Sequence, residues 1–456
     1  MHIKLWGTRG SIPTPGPSTV RYGGNTSCIE LRTDDGTLFI LDCGTGLRWL
    51  GQNLLHESQP IVGNILLSHT HWDHTQGFAF FDPVFKRGNQ FTIFAVSGVD
   101  RSLSEVLAGQ MDYLYFPLTL DELESTIIFK ELGEEAFNVG DVQVRTQFLN
   151  HTVLTLGFRI KSGGKTFVYV ADHEPFSTNL YRANVKNPTL DDIIHAGDRR
   201  HVEFLANADL VIHDGQYTTD EYATKHNWGH STLEYVLEVA MAANVKQVLL
   251  SHHDPAHGDD FLDALEEHCQ NKVRASGSDM NVMLAAEGQE IYLPEAADQV
   301  PEDLAAQTTS TRHMPARILI ADDDPSLVRY VEAVLRKDEY EIFSALNGEE
   351  AVELAIEQQP DLILLDVMMP KLNGYEVAKR LREKPAFQDT PIIMFTARAG
   401  EEDIVRSFES GVNDYIGKPA KPSLLRSRVR RWLMHSDQGT KEQEGQNNTE
   451  SGQIEG

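Results

Sequence analysis

Four residues able to bind a metal stand within six positions in Ser68-His69-Thr70-His71-Trp72-Asp73-His74, after the apolar run Asn64 to Leu67. In extended chain, His69 and His71 point to the same side. Asp73 and His74 follow on the turn into the next helix, where they can face a second ion. Imidazole and carboxylate donors suit zinc, with manganese or iron as alternatives. A lone histidine in a polar loop is usually incidental, but a dense HxHxDH run leaving a buried strand is a different pattern. A second set of reactive residues lies far downstream. Ile318 to Ala321 runs into Asp322-Asp323-Asp324, and Leu362 to Leu365 into Asp366-Val367-Met368-Met369-Pro370. Ile392 to Phe395 runs into Thr396, and Asp414-Tyr415-Ile416-Gly417 into Lys418-Pro419. In an open parallel sheet the carboxyl ends of the strands converge on one crevice. Carboxylates gathered there can hold Mg2+, which prefers oxygen ligands.

Two different sets of elements must position these residues. Residues 1–294 read as one strand-rich α/β unit. Asp34-Asp35-Gly36 interrupts Ile29 to Leu41 as a hairpin turn, and Ser162-Gly163-Gly164-Lys165 does the same between Leu156 and Val170. Further strands are expected at Phe91 to Val96, Leu210 to His213, Val248 to Ser251 and Val282 to Leu293. Helical periodicity marks Thr232 to Ala243 and Asp260 to Cys269. Residues 295–315 shift to Ala, Gln, Thr, Ser and acids, the composition of a linker. From 316 to 434 short apolar strands alternate with amphipathic helices, as in a parallel doubly wound sheet. Residues 435–456 are polar and Gly- and Gln-rich, and are expected to be a disordered tail.

The HxHxDH run resembles the metallo-β-lactamase superfamily, and the other residues of that pattern occur in order. His151 follows Leu149-Asn150, Asp172 follows Tyr169-Val170-Ala171, and His252 follows Leu249-Leu250-Ser251. The resemblance implies His69, His71 and His151 on one metal, Asp73, His74 and His252 on the other, and Asp172 bridging. His253 competes with His252 for the last position. Two ions held this way lower the pKa of bound water to about 7 and neutralise charge developing on a scissile carbonyl or phosphoryl centre. Gly229-His230-Ser231-Thr232 resembles the HST segment of the phosphodiesterase branch, which includes RNase Z-like and PhnP-like enzymes. There the histidine is held by an acid; Asp214 stands where that acid is expected, although the RNase Z-like relatives carry Glu. Asp73, His230 and Asp214 are therefore expected to carry catalysis, with His230 donating a proton to a leaving alkoxide. The same segment also suits capping of the following helix by Ser231 or Thr232. Gly7 to Ser11 and Tyr22 to Cys28 resemble PhnP-like relatives too. They read as glycine-enabled turns packing near the site, with Arg9 or Asn25 as alternative contacts to a substrate phosphate.

The four downstream blocks resemble the response-regulator receiver family across nearly all of 317–434. That implies Asp366 as phosphoacceptor, Asp322 and Asp323 as the acidic pocket, and Mg2+ on Asp323, Asp366 and the Met368 carbonyl. Lys418 and Thr396 would contact the phosphoryl group, and Tyr415 would be the aromatic switch. Asp324 is expected to start the next helix, with Pro325 in its first turn. The implied fold is α/β throughout: an N-terminal αββα metallo-β-lactamase sandwich, then a doubly wound, flavodoxin-like receiver with a five-stranded parallel sheet.

The formal net charge is −28, a field that repels nucleic-acid backbones and anionic membranes, so polymeric nucleic acid is a disfavoured partner. No apolar run is long enough to span a bilayer, and Cys28, Cys43 and Cys269 form no CxxC pair, so a cytoplasmic location is expected. The aromatic insertion Phe78 to Phe116 suits a lid, core or homodimer contact, with nucleobase stacking as the alternative. The expected protein is a two-component signalling hydrolase with two Zn2+ (or Mn2+ or Fe) and a receiver Mg2+. It would cleave a small phosphodiester or cyclic nucleotide and take its phosphoryl group from a sensor histidine kinase or phosphotransfer protein. The competing readings are a non-hydrolytic signalling adaptor and a thioester or lactone hydrolase.

Overall fold

The computed structural model describes residues 1–96, 102–177, 179–181, 189–294, 316–336, 340–388, 390–396 and 412–418, with single positions between 422 and 433. The expected linker and tail lie outside the described residues, as do the side chains of Thr396 and Tyr415. The chain divides into two compact units, Met1–Asp303 and Leu304–Gly456.

In the first unit, strands β1 (His2–Gly7), β2 (Cys28–Arg32), β3 (Leu38–Leu41), β4 (Val62–Leu67), β5 (Gln90–Val96) and β6 (Thr126–Leu132) follow one another across one sheet. A second sheet is built from β7 (Ala136–Val139), β8 (Val142–Leu149), β9 (Thr155–Ser162), β10 (Lys165–Val170), β11 (Leu210–Asp214), β12 (Gln247–Ser251) and β13 (Asn281–Leu284). Strand β14 (Glu290–Tyr292) returns to the first sheet and pairs antiparallel with β1. Both expected hairpins form, β2 with β3 and β9 with β10. The run Val282 to Leu293 is not one strand. Leu284 and Glu290 belong to different sheets, and the turn through Gly288 (φ 79°) separates them.

Period-two alternation explains the layering. In β3, Leu38 and Ile40 join a core with the helices Leu47–Leu54 and Leu103–Gln110. Phe39 and Leu41, equally buried, point to the other face. In β10, Val168 and Val170 pack under the helices Ala196–Leu205, Leu233–Ala242 and Asp259–Ser276, whereas Phe167 and Tyr169 point away from them. Tyr169 Oη then donates to Asp42 Oδ2 at 2.7 Å, a bond from the second sheet to the end of β3 in the first. The result is an αββα sandwich. The helix expected from Asp260 to Cys269 continues to Ser276, because Val273 still faces the core and Gly277 (φ 74°) ends it.

The second unit has β15 (Arg317–Ala321), β16 (Glu341–Ala345), β17 (Leu362–Leu365), β18 (Ile392–Thr396) and β19 (Asp414–Gly417). They form one parallel sheet in the order β16-β15-β17-β18-β19. Asp324 caps the helix Pro325–Leu335 by accepting from Ser326 N.

Candidate metal centre

Every candidate ligand in the sandwich sits at or just past the carboxyl end of a strand: Asp42 after β3, His69 to His74 after β4, His151 after β8, Asp172 after β10, Asp214 ending β11 and His252 after β12. Three overlapping donor groups result: His69, His71, His151 and Asp172; Asp73, His74, Asp172 and His252; and Asp214, His230 and His252. In the first, His71 Nδ1 lies 3.0 Å from His69 Nε2 and 3.1 Å from His151 Nε2. Asp172 Oδ2 is 3.4 and 3.5 Å from His69 and His151 Nε2. In the second, Asp172 Oδ1 is 3.1 Å from His74 Nε2 and 3.2 Å from His252 Nε2, and Asp73 Oδ2 is 3.1 Å from His252 Nε2. The two oxygens of Asp172 thus face opposite groups. His252 is brought to the cluster and His253 is not: its Nε2–H donates to Ala285 O at 2.7 Å.

The outer partners assign the protons. His69 Nδ1 meets Ser68 Oγ at 3.0 Å, and that hydroxyl itself donates to Asp42 Oδ2. His74 Nδ1–H donates to Asp42 Oδ2 at 2.7 Å, His151 Nδ1–H to Gly229 O at 2.8 Å, and His252 Nδ1–H to Gln216 Oε1 at 3.2 Å. Each of these rings therefore turns an Nε2 lone pair inward, towards other lone pairs and carboxylate oxygens. Buried Asp172 Oδ1 has no hydrogen-bond partner. Imidazole nitrogens and carboxylate oxygens converging in this way, with one carboxylate oxygen unpartnered, suit cations. Donors at about 2.0–2.1 Å from a tetrahedral ion stand about 3.3 Å from one another, the spacing seen here. The residues present fit a pair of divalent ions.

Electrostatics point the same way. Burial holds His69 well below the usual imidazole value and drops His151 to about 3, so both stay neutral ligands. Burial also opposes a proton on His252, but the Asp172 carboxylate, with Asp73 and Asp214, lifts it to about 9. The carboxylates call for positive charge at this pole, which a bound cation supplies in place of the proton.

Beside the cluster, His230 Nδ1–H donates to Asp214 Oδ2 at 3.1 Å. Asp214 also accepts the backbone N–H groups of His173, Ser231 and Gln216 at 3.1–3.2 Å, so its carboxylate is fixed. The His230 ring lies 4.9 Å from that of His252. Thr232 caps the following helix through Tyr235 N. Capping and the His230–Asp214 pair thus coexist.

Sequence reasoning missed the outer partners. Asp42 is fully buried with φ 61° and accepts four bonds, from Ser68 N and Oγ, His74 and Tyr169. The glycine-rich turn Asp42-Cys43-Gly44-Thr45-Gly46 at a buried strand end was its signal. Gln216 carries no such signal. Arg9 and Asn25 are not placed for a phosphate. Arg9 is fully buried and donates to the carbonyls of Gly23, Asp254 and His257, and Asn25 Nδ2 donates to Glu287. Gly10 is required by close approach, since a Cβ there would fall 2.3 Å from His252 Nδ1.

In the second unit, Asp322, Asp323 and Asp366 gather at the ends of β15 and β17. Lys418 Nζ donates to Asp322 and lies 3.0 Å from Asp366 Oδ1. Burial raises Asp322, opposed by the hydrogen bond from Lys418. Met368 N donates to Asp366 Oδ2 at 3.2 Å.

A donor cage at the strand ends of an αββα sandwich, and an acid pocket in a 2-1-3-4-5 parallel sheet, define a metal-dependent hydrolase fold joined to a phosphoacceptor fold. The chain is a beta-lactamase superfamily domain followed by a response regulator receiver domain: residues 37–253 match the first family and residues 318–430 the second. Curated relatives match the receiver part. The alkaline phosphatase synthesis transcriptional regulatory protein PhoP of Bacillus subtilis is 40% identical over 141 residues, 31% of this chain and 58% of that protein. Response regulator PleD of Caulobacter vibrioides is 40% identical over 117 residues, 26% of each chain. The chain thus spans 58% or less of the length of these relatives. Among solved structures, the short form of human tRNase Z is 18% identical, covering 64% of this chain and all of its own, with a TM-score of 0.45. A diphosphatase from the PhnP family is 15% identical, covering 65% and 99%, with a TM-score of 0.45.

Proposed function

We propose that this chain is a two-component signalling enzyme whose sandwich domain is a dinuclear metal-dependent phosphodiesterase acting on a small phosphodiester or cyclic nucleotide. The observation that carries the reading is the Asp214–His230 pair beside the seven-donor cage. His69, His71 and His151 would hold one ion and Asp73, His74 and His252 the other, with Asp172 between the two groups; zinc suits this set, with manganese or iron as substitutes. When bound, the ions supply charge neutralisation at the scissile centre and a nucleophile from water at neutral pH.

The remaining work falls to the chain itself. Asp214 holds the Nδ1 proton of His230, so that the ring, when it carries a second proton on Nε2, passes that proton to a leaving-group oxygen and becomes neutral. Ser11 N donates to Asp73 Oδ2 at 2.8 Å and keeps that carboxylate turned to the cage. In the receiver, Asp366 would accept the phosphoryl group from a histidine kinase or phosphotransfer protein, with Asp323, Asp366 and the Met368 carbonyl to hold Mg2+, Asp322 completing the acidic pocket and Lys418 beside it. The signal is then read out as hydrolase activity.

His230→Ala tests the reading. Turnover of phosphodiesters should fall about 10²–10⁴-fold with both ions retained. Unchanged turnover would remove His230 as the proton donor.

A further inference from the structure

Three site-bearing segments meet on Glu174, two residues beyond Asp172. Its backbone N–H donates to Asn150 O at 2.7 Å and its carbonyl accepts from Asn150 Nδ2 at 2.7 Å, which ties it to the residue before His151. Its carboxylate accepts three donors from one loop. Oε1 takes Tyr222 Oη–H at 2.7 Å and Asn227 N–H at 2.6 Å, and Oε2 takes Gly229 N–H at 3.0 Å. Turn bonds link Tyr222 to Thr218 and Trp228 to Lys225, and Lys225 Nζ lies over the Tyr217 ring, but it is Glu174 that ties the loop to the segment after Asp172. Ala223, Thr224, His226, Asn227 and Trp228 are exposed, and Asn227 and Gly229 are both left-handed (φ 67° and 89°). At its end the Gly229 carbonyl takes the Nδ1 proton of His151, and a Cβ at 229 would fall 2.2 Å from that nitrogen. His230 follows directly.

We propose that Glu174 is a positioning residue of this centre. Its carboxylate gathers the donors of the 222–229 loop so that the Gly229 carbonyl orients His151 and His230 stands beside Asp172. It touches no reacting atom and acts through two residues that do. The proposal rests on the metal-dependent reading above. Two consequences follow from one anchor. A loosened Gly229 carbonyl frees the His151 ring, and loss of such an outer partner weakens metal binding about 10–100-fold. A displaced His230 lowers the chemical step rather than substrate binding.

Glu174→Gln tests this, because the amide nitrogen sets a donor against a backbone N–H where an oxygen accepted it. The full chain is loaded with Zn2+, dialysed against graded chelator and its metal content measured. Bis-p-nitrophenyl phosphate kinetics and thermal unfolding of the apoprotein are recorded beside it. The expected result is an apoprotein midpoint near wild type, one ion lost at chelator concentrations about 10-fold lower or more, and reduced kcat with KM little changed. Tyr222→Phe leaves both backbone donors bonded and should retain metal as wild type does. Wild-type metal retention and wild-type kcat in Glu174→Gln would overturn the proposal. If that variant does not fold, Glu174→Asp, one methylene too short for all three donors, is read by the same criteria. Metal retention needs no substrate. Loss of an ion in a protein inert to phosphodiesters therefore upholds the positioning role while rejecting the reaction class.

Discussion

At the scale of single residues, the cage depends on groups that never meet an ion. Asp42 fixes His74 directly and His69 through Ser68, so one buried carboxylate sets the proton positions of a ligand at each pole. Asp42→Asn places an NH2 group against one of these donors. We predict metal affinity lower by about 10–100-fold, measured by chelator competition, with a smaller loss of thermal stability. Four of the seven donors stood out in the sequence as the dense HxHxDH run after β4, whereas His151, Asp172 and His252 were picked out by the family resemblance, each near the end of an apolar strand. His252 over His253 was legible only in part. The left-handed backbone at His252 (φ 62°), which breaks simple alternation, decides which ring enters the cage. Gln216 was illegible, since a glutamine in a loop has many bland uses. Arg9 follows the reading of its segment as a packing turn rather than the phosphate-contact alternative, since three backbone carbonyls use its guanidinium.

At the scale of elements, the helix Ala196–Leu205 carries a buried carboxyl behind the site. Asp198 accepts from Tyr235 Oη at 2.7 Å, Ser177 Oγ at 2.9 Å and Phe176 N at 3.1 Å, so it pins the segment that follows Asp172. Burial pushes it up to about 6, against those bonds. A carboxyl with a raised folded-state value holds its proton longer when folded. Its contribution to stability is therefore present below about pH 4 and lost as pH rises through about 6. Relative to wild type, Asp198→Asn should gain stability across that window, on the order of 3 kcal/mol in all, read from denaturant midpoints at pH 4 to 7. A flat difference would place the Asp198 value near the ordinary carboxylate range. Hairpins and buried parallel strands were legible from alternation and turn residues. The split of Val282 to Leu293 was not, because an apolar run does not reveal that its halves serve different sheets.

At the scale of the whole molecule, the two units have separate hydrophobic cores. No described helix is long and apolar enough to cross a membrane. If the hydrolase is the output, phosphorylation at Asp366 has to change its rate. Beryllofluoride or a small phosphodonor should shift turnover of the metal-loaded full chain, and Asp366→Asn should be insensitive. Identical turnover and oligomeric state in all forms would separate the two domains functionally. Domain order was legible because each fold writes its donors at strand ends in a fixed sequence, whereas the substrate has no comparable signature.

The central claim, a metal-dependent phosphodiesterase, is tested most directly by turnover of the metal-loaded chain on bis-p-nitrophenyl phosphate and cyclic nucleotides, beside thioesters and lactones, with His69→Ala as control. Cleavage of phosphodiesters that requires metal and is lost in His69→Ala is the expected result. Both ions bound with no phosphodiester turnover would contradict it, and cleavage of the thioester or lactone instead would name the class that replaces it.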